Sequence, residues 1–566
     1  MGKISSYPAM TALQGSELIL GDQSGATGTT TPTAIAAYMA GLTTTPVIAS
    51  YARTAAEIAV GVTPTNYAYP PYNAFRYGFV GDGTTDDTVA LQTLFTVCQQ
   101  GYVAFIPFTG TGEYKISGPL YFDGSGGIYM EGAIKANLMP TGSGYTALNI
   151  ATKAVSTITT MVVSVSGANL SGAGNGICIG STDNATTVTN LQRSTVDYLR
   201  ATTFDGYGIQ INTVYDSYFG SCHADYCGNS TYYAFSINNA GDTSNQTTWS
   251  KIQVEAATTL GVFIDDILTC AILQLHAERA AGNGTAATHF LGGNATFYGP
   301  VYLEGATDAL LTLQCTGTGF TNLEAAGINT TYGIGDSFGF GGSTNQILSG
   351  VFDNLTESVN NTSTWEFNNT TCSGTFSAST GAFRTILKNA TLAAVEVSNN
   401  GTEVHFYNCS IAGGWTSAGG NPVIKFFGGS TAVWPPAGGS VYANELTVSA
   451  AFTTPGSQVA RLYGCTFQGE VTVSNNDTDW RSQNCTYAAG AVYGIGAPGV
   501  LFGPGDIFQV ALATGYLTES PGTAGAVATY NVGDQGWNKA PSATSAIGWI
   551  CTTAGSPGTW TNMPAL

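Results

Sequence analysis

Three glutamates recur at similar intervals in the middle of the sequence, and each ends a short run typical of a β-strand. They are Glu255, Glu278 and Glu304, separated by 23 and 26 residues, and Glu324 follows after a further 20. Two carboxyl groups at a suitable separation hydrolyse a glycosidic bond, one as the acid and the other as nucleophile or base. We therefore take Glu255, Glu278 and Glu304 as candidate catalytic residues.

The distance between such carboxyl groups must be set by a repeating backbone. Retaining glycosidases hold them about 5–5.5 Å apart and inverting ones about 6.5–9.5 Å. Parallel strands on adjacent rungs of a solenoid lie about 4.8 Å apart, and strands two rungs apart lie at about twice that distance. A structural interpretation stays open, because a solenoid repeat also generates ladders of solvated strand-end residues that have no function.

Polar and aromatic residues around these glutamates are candidates for sugar binding. Aromatic residues are dense between positions 207 and 302, and sugar rings stack on aromatic side chains. The residues predicted to bind substrate are Asp216, Asp225, Trp249, His276, Arg279 and Tyr302. Further carboxylates that compete for a role in this region are Asp197, Asp205, Asp265 and Asp266. Residues 197–330 are therefore the favoured binding region.

Other chemistries find less support in the sequence. The four histidines, at positions 223, 276, 289 and 405, form no evident Ser-His-Asp arrangement. There is no Cys/His spacing typical of zinc and no calcium-loop spacing, so no metal and no cofactor are expected. A lyase mechanism that uses Lys, Arg or a calcium ion stays open, although basic residues are scarce.

A second repeat lies downstream of the glutamates. Similar tripeptides begin at Asn389, Asn408, Gly464 and Asn484, at intervals of 19, 56 and 20 residues. The interval of 56 residues is close to three repeats, and Asn444 lies near one of the intermediate repeat positions. Asn tolerates a left-handed turn conformation and can hydrogen-bond its copies on adjacent rungs. A period of about 20 residues built from strand-like units predicts a right-handed parallel β-helix.

Composition restricts the partners. The chain of 566 residues is 43% hydrophobic but only 9% charged, and 35 acidic against 16 basic residues give a net charge of −19. Nucleic acid and anionic membranes are therefore not expected as partners, whereas a neutral or weakly charged glycan is compatible. No apolar run approaches the length of a spanning helix, and we expect neither membrane insertion nor a signal peptide.

The eleven cysteines are spread along the chain without a CxxC motif. We interpret them as small buried thiols rather than disulfides. Reduced thiols are consistent with a protein that is synthesised in a cytoplasm.

Four segments are predicted. Residues 1–50 form a small N-terminal module, residues 51–72 a linker with a short helix, residues 73–498 the β-helix, and residues 499–566 a β-structured C-terminal module. A helix near 87–100 follows a Gly-rich turn, with Thr85 or Asp86 as its N-cap. Asp86 and Asp87 are assigned to capping rather than to catalysis. One face of this helix carries Val89, Leu91, Leu94, Phe95 and Cys98.

Motifs at both ends and at the start of the β-helix carry a resemblance. The run from Lys3 to Ala9 resembles the virion-anchoring module of bacteriophage tailspikes. The Gly81-Asp82-Gly83-Thr84-Thr85-Asp86-Asp87 segment is similar to the start of β-helices in the pectate-lyase-like superfamily. The stretch from Gly548 to Trp560 resembles a C-terminal module of phage tail proteins. Together they resemble a phage tailspike or tail fibre.

The resemblance implies a homotrimer in the virion tail, synthesised in the host cytoplasm. Residues 1–50 would attach it to tail, baseplate or portal-adaptor proteins, and residues 499–566 would form the trimer tip. The implied activity is binding of host lipopolysaccharide or capsule and its cleavage by an endoglycosidase. Two alternatives stay open: a non-enzymatic receptor-binding tail fibre of the same fold, and a free polysaccharide lyase or hydrolase.

Overall fold

The structure is a computed structural model. It describes residues 18–21, 27–30, 50–168, 170, 174–180, 189–237, 243–257, 259–279, 288–333, 344–357, 364–378, 384–397, 402–416, 420–435, 439–454, 458–473, 479–488, 491–493, 501–502, 504–510, 535–538, 548–553 and 559–563. Most of the two terminal segments predicted from the sequence, 1–50 and 499–566, lies outside the described residues.

The chain is a parallel β-solenoid, as its sequence period predicts. Each strand pairs in parallel with the equivalent strand of the preceding and following rung: Tyr218–Asp225 lies between Thr195–Thr202 and Thr248–Ala257. Parallel pairing of this kind continues from Gln100–Ile106 to Thr486–Tyr487. The right-handed sense of the coil stays a prediction.

The strands are short, and most of them belong to one continuous stack of rungs. The first part of this stack has strands Gln100–Ile106, Glu113–Ile116, Leu120–Phe122, Ser125–Met130, Asn137–Pro140, Thr146–Ile150, Thr157–Ser166, Asn175–Ile179, Leu191–Gln192, Thr195–Thr202, Ile209–Ile211, Val214–Tyr215, Tyr218–Asp225, Phe235–Ile237, Ser244–Asn245, Thr248–Ala257, Leu260–Ile264, Ile267–Leu268, Ala271–Ile272, Leu275–Arg279, Thr288–Asn294, Phe297–Thr316 and Gly319–Tyr332.

The second part continues the stack with shorter rungs. Its strands are Thr344–Ile347, Gly350–Glu357, Thr364–Asn368, Thr370–Ala378, Arg384–Lys388, Thr391–Val397, Glu403–Tyr407, Ser410–Ile411, Trp415–Thr416, Val423–Phe427, Ser430–Thr431, Gly439–Asn444, Thr447–Val448, Phe452–Thr453, Gln458–Tyr463, Thr466–Phe467, Val471–Val473, Asp479–Gln483, Thr486–Tyr487, Ala491–Tyr493, Leu501–Phe502 and Ile507–Val510.

Strands near the two chain ends pair differently. Leu18–Gly21 pairs with Thr27–Thr30 in an antiparallel hairpin. Near the other end, Gln535–Asn538, Gly548–Thr553 and Thr559–Met563 form an antiparallel sheet. Gln535–Asn538 also pairs in parallel with Ile507–Val510, so it joins this antiparallel sheet to the stack.

Two α-helices, Ala55–Ala59 and Thr88–Cys98, and one 3₁₀-helix, Ala74–Tyr77, precede the solenoid in the described part of the chain. The longer helix packs on the first strands, where Phe95 meets Phe122 edge-on at 5.7 Å between ring centroids. Its residue Val89 is exposed, contrary to the predicted apolar face. No helix in the described residues is long and apolar enough to cross a membrane.

The three aspartates before the longer helix each accept hydrogen bonds from the backbone amides of a different segment. Asp82 accepts hydrogen bonds from the amides of Thr84 and Thr85, which closes the turn. Asp86 accepts from the amide of Thr88 at 3.1 Å. Asp87 stands at the N-cap position without a side-chain cap; its carboxylate instead accepts from the amides of Val80 and Gly81. The prediction that Asp87 caps the helix through its side chain is therefore wrong.

A buried ion pair joins residues 51–62 to the turn before the solenoid. Glu57 and Arg76 are fully buried and lie 2.6 Å apart, and Tyr77 donates a hydrogen bond to the same carboxylate. Arg76 also donates to the carbonyl oxygens of Tyr51 and Ala52. Burial raises the pKa of Glu57, but hydrogen bonds led by Arg76 outweigh it and bring the pKa to about 2. The segment interpreted as a linker is thus packed against the following turn.

The interior follows from the period-two alternation of the strands. Inward residues are aliphatic, aromatic or cysteine, and the ten cysteines whose side chains are described are all buried and free, as predicted. Small thiols fit the narrow interior and need no hydrogen-bonding partner.

The Asn repeat forms a column of corners in the second part of the stack. Asn389 has φ +53°, and its side-chain amide donates to Asn369 on the preceding rung at 3.2 Å. Both the left-handed conformation and the rung-to-rung hydrogen bond were predicted. The interval of 56 residues contains two further corners, at Gly428 and Glu445. Asn444 itself is one residue away from the corner, so its assignment is corrected.

Candidate functional site

Four strands on consecutive rungs contain the same three-residue pattern of a polar residue, a buried aliphatic residue and a carboxylate. Because side chains alternate along a strand, the first and third residues of each pattern face outward. The middle residues are buried. We call the eight outward residues the carboxylate face: His223, Asp225, Gln253, Glu255, His276, Glu278, Tyr302 and Glu304.

Strand register brings the three predicted catalytic glutamates onto adjacent strands. Gln253, His276 and Tyr302 pair in one row, so Glu255, Glu278 and Glu304 each stand two residues further along their strands. A bulge after Val254 places Ala256 at φ +52° and interrupts the row beside Glu255.

The fourth glutamate of the series does not join this row. Glu324 pairs with Tyr302 rather than with Glu304, whose partner is Ala326. The sequence interval of 20 residues therefore suggested an equivalence that the register contradicts. The shift arises because the rung between Glu304 and Glu324 is shorter than the ones before it.

Each glutamate of the face contacts the polar residue two positions earlier on its own strand. Glu278 Oε1 lies 2.7 Å from His276 Nε2, and Glu304 Oε2 accepts a hydrogen bond from the Tyr302 hydroxyl at 3.0 Å. Glu255 accepts from the Gln253 side-chain amide. Such contacts restrict the rotamers of the carboxylates while leaving one oxygen of each outside the contact.

Asp225 is the least exposed carboxylate of the face. It is 6% exposed and pairs with Arg200 at 3.2 Å. Burial raises the pKa of Asp225 above its ordinary value, although the hydrogen bond from Arg200 acts in the opposite direction. Its Oδ1 atom is buried without a hydrogen-bond partner among the described residues, as is Gln253 Oε1.

Two other groups of the face have shifted pKa values. Burial lowers the pKa of His223, and the positive charges of Lys251 and Arg200 lower it further, which favours the neutral imidazole. The hydrogen bond to Glu304 raises the pKa of Tyr302, so this phenol stays protonated and donates.

The predicted substrate-binding residues separate into different locations. His276 and Tyr302 lie together on the face, with ring centroids 5.1 Å apart. Trp249 is fully buried and stacks on Phe219 in the core, so it cannot bind a sugar from the surface and its assignment is corrected. Only the backbone of Arg279 is described, where it pairs with Ala257.

The predicted aspartates also differ in their accessibility. Asp216 is exposed at a corner with φ +45°, before the strand whose far end carries Asp225. A strand from residue 218 to residue 225 spans roughly 23 Å, so Asp216 does not reach the carboxylate face. Asp225 belongs to the face but is engaged by Arg200.

Three of the four competing aspartates lie away from the carboxylate face, whereas the exposed Asp205 stands three residues after Thr202, which pairs with Asp225. Asp197 accepts hydrogen bonds from the Thr160 hydroxyl and the Met161 amide. Asp265 and Asp266 follow the strand Leu260–Ile264, on another side of the rung. Burial raises the pKa of Asp265 to about 6.

Sequence reasoning missed the polar partners of the glutamates. His223 and Gln253 were not selected, although each stands two residues before a carboxylate, just as His276 and Tyr302 do. The recurring polar–aliphatic–carboxylate tripeptide is the signal that would have identified them. It would also have placed Asp225 in the same series as Glu255.

The arrangement supplies carboxylates on neighbouring strands of a rigid surface. Backbones of adjacent strands are about 4.8 Å apart, which fits the separation in a retaining glycosidase, and Glu255 and Glu304 are two strands apart. Within the described residues there is no group of three or more His, Cys, Asp or Glu side chains that could hold a metal ion.

Comparisons with known proteins give one weak structural similarity. No family model and no curated protein match the chain. Among solved structures, ORF18 of Geobacillus virus E2 is similar, with a TM-score of 0.34 and 14% identity over 63% of this chain. The match covers 62% of that protein, which is less than two thirds of its length. A similarity of this extent does not assign the chain to a family. The chain is therefore characterised by its own parallel β-solenoid and carboxylate face.

Proposed function

We propose that this chain is a phage tailspike or tail fibre that binds the polysaccharide of a host cell surface and cleaves it by glycoside hydrolysis. The observation that carries the proposal is that Glu255, Glu278 and Glu304 stand on adjacent strands, each two residues beyond the paired row of Gln253, His276 and Tyr302. The tail assignment rests on the resemblance of both chain ends and of the solenoid start to phage tail proteins. It includes a homotrimer that is attached to the virion through its N-terminal segment.

Glu278 is the best candidate for the acid. It stands between the other two glutamates, and His276 Nε2 lies 2.7 Å from one of its carboxylate oxygens. In the reaction Glu278 would give its proton to the glycosidic oxygen as the bond to the anomeric carbon breaks. A neighbouring glutamate would bond to that carbon, and water deprotonated by Glu278 would then displace it.

The stereochemistry of the product identifies the pair. If Glu278 acts with Glu255 or Glu304, the short separation predicts retention of anomeric configuration. If Glu255 and Glu304 act together across two strands, the longer separation predicts inversion. Proton NMR of the first product formed distinguishes the two results.

The test of the proposal is to incubate the purified chain with lipopolysaccharide and capsule from susceptible hosts and to analyse the products by mass spectrometry. We expect defined oligosaccharides. Glu278→Gln should slow their release by about 10²–10⁴-fold, the contribution of a general acid. Glu470→Gln, an exposed carboxylate far along the chain, is the matched control and should keep full activity. If Glu255→Gln, Glu278→Gln and Glu304→Gln all keep full activity, the site is wrong.

Binding without cleavage is the second candidate function. The partly exposed side chains of His276 and Tyr302 favour it, because their rings lie 5.1 Å apart at the surface and can contact a bound sugar without any reaction. Retention of host polysaccharide by the chain, with no oligosaccharide released from any susceptible host, would establish a receptor-binding fibre instead.

A further inference from the structure

A second surface of the solenoid carries a different set of side chains. Seven strands pair side by side in parallel: Thr364–Asn368, Arg384–Lys388, Glu403–Tyr407, Val423–Phe427, Gly439–Asn444, Gln458–Tyr463 and Asp479–Gln483. Their outward residues form three rows of seven positions, which we call the aromatic–cation face. The rows contain residues 364, 384, 403, 423, 440, 459 and 479; 366, 386, 405, 425, 442, 461 and 481; and 368, 388, 407, 427, 444, 463 and 483.

This face lies on a different side of the rungs from the carboxylate face. The row of His276, Tyr302 and Glu324 continues through pairing into Thr371, Thr391 and Ser410. Those last residues follow the corners at 369, 389 and 408, whereas the aromatic–cation face precedes the same corners. The two faces are therefore separated by a bend of the rung as well as by position along the stack.

Three exposed rings lie on the aromatic–cation face, and they are the exposed rings of the described residues between 344 and 488. Phe427 is 37% exposed, Tyr442 41% and Tyr463 50%. Tyr407 stacks on Phe427 with ring centroids 4.5 Å apart and planes 10° from parallel. Large exposed rings on consecutive rungs give a flat apolar platform of the kind on which sugar rings stack.

Charge is also concentrated there. Five cations, Arg384, Lys388, Lys425, Arg461 and Arg481, stand against three carboxylates, Glu366, Glu403 and Asp479, a local net charge of +2. Eight of the 21 positions are thus charged, in a chain that is 9% charged and carries −19 overall. The surface is basic relative to the rest of the molecule, and an anionic ligand is attracted to it.

The carboxylates hold the cations in place. Glu403 contacts Arg384 at 3.2 Å and Lys425 at 2.5 Å, and Asp479 contacts both Arg461 and Arg481. A guanidinium has five N–H donors and an ammonium has three, so each cation keeps donors beyond its salt bridge. Positioned cations lose less conformational entropy when they bind an anion.

The density of charge argues against burial of this face between subunits. The cores of protein interfaces are depleted in charged residues, whereas more than a third of these positions are charged. We propose that the aromatic–cation face is a second, non-catalytic binding site for an acidic polysaccharide. Sugar rings stack on Phe427, Tyr442 and Tyr463, and their carboxylates meet Lys425, Arg461 and Arg481.

Seven strands at about 4.8 Å spacing give the site a length of roughly 29 Å, which suits an extended oligosaccharide. The inference rests on the proposed function only in taking a glycan as the ligand. It requires neither hydrolysis nor the carboxylate face.

The test is isothermal titration of the full chain with polygalacturonic acid oligosaccharides and, separately, with their methyl esters, which lack the charge. We expect at least tenfold tighter binding of the acid, with the preference weakened by added salt. The double variant Tyr442→Ala, Tyr463→Ala should lose at least tenfold in affinity for both probes. Phe replacements at the same positions should retain binding, because they keep the rings.

Charge and specificity are tested by further variants. Arg461→Gln with Arg481→Gln should remove the preference for the acid and leave binding of the ester unchanged. Tyr129→Ala, which removes a ring 42% exposed near the start of the solenoid, is the control and should bind as wild type. Equal affinity for acid and ester, or no binding of either, would overturn the proposal.

Two outcomes separate this inference from its alternatives. If the double Tyr variant changes the sedimentation of the chain and not its glycan affinity, the face is a subunit interface and the proposal fails. If the chain releases no oligosaccharide from host polysaccharide but still binds polygalacturonate through this face, the proposed hydrolysis fails and the second site stands.

Discussion

The N-terminal half of the solenoid, residues 189–333, and the C-terminal half, residues 364–488, share one fold but build their corners differently. In the N-terminal half one column of left-handed corners contains Arg193, Asp216, Gln246, Thr269, Ala295 and Gly317, at intervals of 22 to 30 residues. In the C-terminal half they are Asn369, Asn389, Asn408, Gly428, Glu445, Gly464 and Asn484, at intervals of 17 to 20.

The two halves differ both in the regularity of their corners and in the kind of surface that they carry. Asn and Gly accept a positive φ at little cost, and they dominate the corners of the short, even rungs. The longer rungs place Arg, Gln, Thr and Ala in the same conformation, which strains the backbone. The strained half carries the carboxylate face, whereas the regular half carries the aromatic–cation face.

The largest loss of stability should come from removing a large buried side chain from the core of either half. Trp249 stacks on Phe219 and Trp480 donates a hydrogen bond to Tyr487, and both indoles are fully buried. Replacing either with Ala should cost about 3–5 kcal/mol. Because rungs contact only their neighbours, hydrogen exchange should increase mainly in the half that carries the substitution. Equal loosening of both halves after either change would show that they are one cooperative unit.

Acid should weaken the C-terminal half through Glu403. Burial raises its pKa, but hydrogen bonds from Lys425, His405 and Arg384 outweigh burial and bring the pKa to about 2. Since the pKa is lower in the folded chain, the stabilisation exists above pH about 4.5 and is lost as the pH falls towards 2. Glu403→Gln should cost about 2 kcal/mol at pH 7 and flatten this dependence in urea titrations. A loss of stability that is the same at pH 7 and pH 2 would contradict it.

Asp265 should give the N-terminal half the opposite dependence. Burial raises its pKa to about 6, so the folded chain binds its proton more tightly than the unfolded chain does. Its contribution is complete below pH about 4 and is lost as the pH rises through 6. Asp265→Asn should therefore stabilise this half by about 1–2 kcal/mol at pH 8 and leave it unchanged at pH 4. Thermal melts at the two pH values measure this, and Asp205→Asn, an exposed aspartate, serves as control.

Corner substitutions should give the smallest effects and the most direct comparison. Thr269 has φ +51°, and Thr269→Gly should stabilise the N-terminal half by about 0.5–1 kcal/mol by relieving strain. Asn389→Gly should instead be neutral or slightly destabilising, because it removes the hydrogen bond to Asn369. Stabilisation by both substitutions would show that the corners of the two halves are equally strained.

The solenoid and the row of glutamates could be predicted because both depend on the period alone. The repeat interval places Glu255, Glu278 and Glu304 on successive rungs whatever the interior contains. The same interval misplaced Glu324, since a shorter rung moves the register by two residues without any mark in the sequence. The bulge at Ala256 was equally invisible, because it depends on backbone pairing.

The burial of individual side chains was harder to predict than the repeat period of the solenoid. Trp249 lies in a region rich in exposed aromatic residues, yet strand alternation directs it inward. Val89 belongs to the same apolar helix but is exposed, because it lies about 200° around the helix axis from the buried Leu91. In both cases the residue type is compatible with either side, and the position of the residue within its strand or helix decides between them.

The buried ion pair at the start of the solenoid has a mechanical consequence. Arg76 holds the carboxylate of Glu57 and the carbonyl oxygens of Tyr51 and Ala52 at once. A pulling force applied to residue 50 would therefore load several hydrogen bonds together before it reached the first rung. In a single-molecule stretching experiment, Glu57→Gln should lower the force of the first rupture and leave the later peeling of individual rungs unchanged.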